Sequence, residues 1–115
     1  MSDAELYELI GDGVAAMDRR SRCLWELIRI EPAKWSLHPW GDLGGGFWVV
    51  AILGEQVVWF NDIEDGFNVS RYEAPGVIAD YWCNQDELQH TIHGLLNQID
   101  TGEVPGKWGP TEPLT

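Results

Sequence analysis

The chain has 115 residues, 44% hydrophobic and 23% charged, which fits one folded domain and argues against disorder. Nineteen acidic residues against seven basic ones give a net charge of −12, which opposes docking on nucleic acid or on an anionic membrane surface. No run is long and apolar enough for a membrane span, and the acidic start MSDAELYELI lacks a signal's basic region, so we expect a cytoplasmic chain with Cys23 and Cys83 reduced.

The first element is a helix. Ser2 is placed to cap it, with Glu5 completing a capping box. Leu6, Leu9, Ile10, Val14 and Met17 recur at helical spacing on one face, and Gly13 falls on that face, where it permits close approach of a neighbouring backbone. The helix should fade in the charged stretch 18–22. Residues 23–30, CLWELIRI, then read as a short strand ending at Glu31-Pro32, with a helical continuation as the alternative.

Residues 32–46, PAKWSLHPWGDLGGG, have no period and read as a long loop carrying Trp35, His38 and Trp40. The triple glycine at its end precedes a strand and lacks the Lys-Ser/Thr of a phosphate loop, so it reads as a hinge or a point of close backbone passage.

The centre of the chain is FWVVAILGEQVVWFND, 47–62, a hairpin turning at Gly54-Glu55. Regular pairing sets Leu53 opposite Gln56, Ile52 opposite Val57, Ala51 opposite Val58, Val50 opposite Trp59 and Val49 opposite Phe60. One face is then Phe47, Val49, Ala51, Leu53, Val58 and Phe60; the other is Trp48, Val50, Ile52, Val57 and Trp59. Neither face is polar, so both need cover. Helices suit one. The second needs the Trp-bearing loop, the C-terminal tail or another subunit.

An acidic turn, NDIEDG, leads into a strand with Phe67 and Val69 on one side and Asn68 and Ser70 on the other. Val77 to Trp82 reads as an edge strand or a packed connection. Asn84, with Glu87, is placed to cap a last helix whose stripe is Leu88, Ile92, Leu95, Leu96 and Ile99, ended by Gly102. The expected fold is α+β: an antiparallel meander of about four strands, with N- and C-terminal helices packed on one face in two layers. The domain spans 1–103, and 104–115 form an extended Pro- and Gly-rich tail with Trp108 as its one anchor.

Three clusters carry chemistry worth weighing. Asp86, His90 and His93 share a face of the last helix and could bind a transition metal, although HTIH lacks the glutamate of HEXXH and a solvated face is the plainer reading. Cys83, just before that helix, could be activated by its dipole with His38 as base; a small core cysteine is the plainer reading. Asp62, Glu64 and Asp65 crowd one turn but miss the ligand spacing of a calcium loop, so ordinary turn chemistry is expected. Nothing here points to a cofactor.

The seven tryptophans are the least ordinary feature, since Trp is a preferred anchor of binding surfaces. The leading expectation is a non-enzymatic, acidic protein-interaction domain. Its surface would comprise Trp35, His38, Trp40, Trp48, Trp59, Asp62, Glu64 and Asp65, docking on a basic partner in the manner of an immunity or inhibitor protein. The alternatives are a homodimeric scaffold burying the second hairpin face, and a small enzyme or ligand-binding domain using loop 32–46 with His38, Asp42 or Cys83.

Overall fold

The computed structural model describes residues 1–102; the predicted tail at 104–115, with Trp108, lies outside them. The first helix, α1 (Asp3–Ala15), opens with the expected capping box: Ser2 Oγ accepts from the Glu5 amide at 3.2 Å, and the Glu5 carboxylate accepts from the Ser2 amide at 3.3 Å. Leu6 and Met17 are buried, while Leu9 turns out to solvent.

The strand expected at 23–30 is a second helix, α2 (Arg19–Ile28). Asp18 starts it by accepting the Ser21 amide at 2.8 Å, which satisfies one of the free donors of a new first turn. Ser21, Leu24, Trp25 and Ile28, at helical spacing, are its buried face. The chain becomes extended only at Arg29, and β1 (Arg29–Trp35) takes up the start of the expected loop.

Four further strands follow: β2 (Phe47–Leu53), β3 (Gln56–Asn61), β4 (Gly66–Ala74) and β5 (Val77–Ile78). They form one five-stranded antiparallel sheet in the order β1-β2-β3-β4-β5, a meander of the expected class with one more strand. Leu53, Ile52 and Ala51 pair with Gln56, Val57 and Val58 as expected. The register then slips, and Val49 stands opposite Trp59 and Trp48 opposite Phe60. Val50 is the extra residue of a β-bulge. A slip of one residue exchanges the faces. Phe47 and Val49 therefore join Val57 and Trp59, whereas Trp48 joins Val58 and Phe60.

The second face is covered from within the chain. Phe47, Val49, Val57 and Trp59 pack with Trp35, Leu37 and Ile78, and half-buried Trp40, Tyr72 and Tyr81 close over them. The sheet curls far enough to bring β5 against the end of β1. There the Ser36 amide donates to Gly76 O and the Ile78 amide to Ser36 O, both at 2.9 Å.

The first face carries the helices. Leu6, Leu24, Trp25 and Ile28 meet Val50, Ala51, Val58, Phe60 and Phe67 there, together with Leu88, Ile92 and Leu95 of the last helix, α3 (Leu88–Thr101). That helix starts later than expected, because Asn84 is engaged elsewhere. Its amide donates to Asn68 Oδ1 at 2.8 Å and its carbonyl accepts from Asn68 Nδ2 at 3.1 Å, which binds it to β4. Glu87 takes the cap position without a side-chain bond. Ile99, expected in the buried stripe, is exposed. Among the described residues no helix is long and apolar enough to cross a membrane.

Candidate functional site

The loop between β1 and β2 is folded back on the sheet. Gly46 permits this: its φ is 107°, and a Cβ there would fall on the carbonyl oxygen of Trp35. Gly44 and Gly45 have open space around them, so close passage requires only the last of the three glycines. Within the loop, His38 Nδ1 lies 2.6 Å from Asp42 Oδ2, with both side chains largely in solvent. Leu43, in the short turn Asp42–Gly44, is fully exposed.

Trp40 comes down onto Tyr81. The two rings are stacked, with centroids 4.3 Å and planes 12° apart. Tyr81 in turn leans on Phe47 and Trp59 at 6.2 and 6.0 Å. Burial pushes the Tyr81 phenol up; a hydrogen bond with Asn61 opposes this, while Cys83 and the charge of Glu64 add to it. The hydroxyl of Tyr81 therefore sits at the foot of the acidic turn.

That turn is organised by Asn61, which is fully buried. Its Oδ1 accepts the amides of Ile63 at 3.0 Å and Glu64 at 3.2 Å, and its Nδ2 donates to Trp82 O at 3.0 Å. This is an Asx turn, with Asp65 in the left-handed region at φ 55°, and it projects Asp62 and Asp65 into solvent. Trp40, Tyr81 and Glu64 are thus linked into one ledge, with Asp42 two residues after Trp40 in the loop and Asp62 and Asp65 beside Glu64 in the turn.

The other expected residues are divided by the sheet. Trp59 is wholly buried beneath the ledge, its Nε1 donating to Ser70 Oγ at 2.9 Å, so it supports the ledge from below. Trp35 is buried edge-on against Tyr72, with centroids 5.2 Å apart. Trp48 is half-buried on the opposite, helix-bearing face, with Lys34 Nζ 5.2 Å from its ring centre.

No known protein family, curated protein or solved structure matches the chain.

Asp86 is not on the last helix. Its carbonyl accepts from the Phe67 amide at 2.9 Å, and its carboxylate accepts from Asn84 Nδ2 at 3.2 Å. His90 and His93 are exposed, with His90 Nε2 3.7 Å from Glu87. Among the described residues no group of three or more His, Cys, Asp and Glu is arranged to hold a metal ion. Cys83 lies well before α3, so the helix dipole does not reach it; its thiol meets the Tyr81 hydroxyl. Tyr81 is the residue that sequence reasoning missed. Only its aromatic character in the run DYWCN could have singled it out, and nothing local ties residue 81 to residues 40 and 64.

Proposed function

We propose that the protein is an acidic interaction domain that docks a basic protein partner on the Trp40–Tyr81 ledge. Tyr81 carries this reading, because the same side chain stacks on Trp40 and reaches toward Glu64. An aromatic stack with carboxylates in the adjoining loop and turn suits Arg and Lys side chains, which combine ion pairing with contact over an aromatic face. The net charge of −12 would speed and orient the encounter. The homodimer reading has less in its favour, since Val49, Val57 and Trp59 are already buried by their own chain.

Affinity capture from the protein's own cell extract tests the reading. Wild type should retain a basic protein that elutes as salt rises. Trp40→Ala and the triple variant Asp62→Lys, Glu64→Lys, Asp65→Lys should each lose it. Retention by both variants would refute the proposal.

A further inference from the structure

A groove opens where the acidic turn meets α1. Its inner part, about 110 Å³, lies between α1, Phe60 and Phe67 of the sheet, and the start of α3. Its outer part, about 290 Å³, adjoins this along α1 toward Met1. Leu9, Asp12 and Asp65 line both parts. The turn therefore faces two ways: the charge of Glu64 acts on Tyr81 in the ledge, while Asp65, held at φ 55°, stands across from α1.

The lining combines apolar surface with charge of one sign. Leu9 and Met1 are exposed here, at 37% and 41%, above the buried rings of Phe60 and Phe67. Glu5, Glu8, Asp12, Asp65, Asp86 and Glu87 border the groove, and among the described residues no Lys, Arg or His side chain does. Local structure accounts for half of these acids. Glu5 completes the capping box of α1, Asp86 accepts from Asn84, and Glu87 occupies the cap position of α3.

Glu8, Asp12 and Asp65 have no such task. Among the described residues none of them pairs with a basic side chain, because Arg20, Arg29 and Arg71 are engaged by Asp100, Glu26 and Asp80. Glu8 and Asp12 are one helical turn apart on α1, where like charges oppose the helix. Gln89, which also lines the inner part, has an amide oxygen shut from solvent without a donor. A buried acceptor in this state is costly, and an ammonium or guanidinium group brings donors.

A bare metal ion does not answer these features, since the carboxylates are not gathered to hold one and the exposed Leu9 and Met1 need carbon against them. Lys and Arg side chains carry both, an aliphatic stem and a charged head. We infer that the groove docks a basic segment of a protein partner, with Lys or Arg stems over Met1 and Leu9 and their charges among Glu8, Asp12 and Asp65. The turn joins the groove to the ledge, so this inference extends the proposed docking surface and rests on the same reading of a basic partner.

Random twelve-residue peptides displayed on phage, selected against the full chain at low salt, test it. One class of binder should carry Lys or Arg between apolar residues and survive Trp40→Ala. That class should weaken at least about tenfold on Asp12→Lys and roughly threefold on Leu9→Ala. Asp12→Lys relieves repulsion with Glu8, so its urea midpoint should equal or exceed that of wild type, which separates lost binding from lost folding. The inference is overturned if no peptide is selected, or if the survivors of Trp40→Ala ignore Asp12→Lys. It is also overturned if every binder is lost on Trp40→Ala, an outcome that leaves the ledge standing. Groove binders without any that depend on Trp40 would instead uphold the groove and count against the ledge.

Discussion

Gly13 of α1 lies so close to α3 that a Cβ at residue 13 would stand 2.7 Å from Leu88 Cβ. The two helices cover the same sheet face, so their separation also sets how Leu6 and Ile92 meet Val58 and Phe60. Gly13→Ala should therefore destabilise the fold by about 1–3 kcal/mol through overpacking, although Ala is the better helix former. Gly11→Ala on the open side of the same helix should instead gain up to about 1 kcal/mol. Urea unfolding of the two variants checks both signs.

Trp59 and Ser70 bind the ledge's foundation to the connection after β5. Ser70 Oγ accepts from Trp59 Nε1 at 2.9 Å and donates to Asp80 O at 2.7 Å. Ser70→Ala leaves a buried indole N–H without an acceptor and should cost about 1–3 kcal/mol. Trp59→Phe removes the donor and part of a fully buried ring, and should cost about 2–4 kcal/mol. Both are expected to lower partner affinity only as far as they loosen Tyr81. The comparison is between denaturation midpoints and affinity measured well below them.

Two carboxylates connect the helices to each other and to pH. The Ser21 amide holds Asp18 below its ordinary value, and the paired guanidinium of Arg20 does the same for Asp100. A carboxyl lower in the folded than in the unfolded chain stabilises above its unfolded pKa. That contribution is lost as pH falls through the folded pKa. Acid also relieves repulsion in a chain of charge −12, so the comparison needs a variant. The fall in unfolding midpoint from about pH 5 to about pH 3 should be shallower in Asp18→Asn, Asp100→Asn than in wild type. Equal slopes would remove these groups from the acid response.

The ledge separates binding from stability. Leu43→Asp changes a side chain with no burial and should move stability by less than about 0.5 kcal/mol. Trp40→Ala should weaken partner binding by roughly thirtyfold, the loss expected for an interfacial aromatic anchor. Trp48→Ala, on the other side of the sheet, should leave affinity within about threefold. Urea unfolding checks the first of these, and titration calorimetry with the captured partner separates the other two.

What the sequence made legible was local. The capping box at Ser2 and Glu5, the turn at Gly54-Glu55, the in-and-out alternation of Phe67 to Ser70 and the stripe from Leu88 to Leu96 each depend on neighbours a few residues apart. The bulge at Val50 depends on a competition between two apolar faces that alternation alone cannot decide. Residues 23–30 were too short to separate strand from helix without recognising Asp18 as a cap. Asn84 was a sound cap by pattern, but a partner sixteen residues away in sequence, Asn68, took its backbone. The candidate site failed to appear for the same reason, since Trp40, Tyr81 and Glu64 converge only when the sheet curls.

The most direct test of the acidic ledge is the association rate with the captured partner as a function of ionic strength. Docking through Asp42, Asp62, Glu64 and Asp65 predicts a rate falling at least about tenfold between roughly 0.05 and 0.5 M salt, with that dependence flattened in Asp62→Asn, Glu64→Gln, Asp65→Asn. A rate indifferent to salt, or equally salt-dependent in the neutralised variant, would contradict the account.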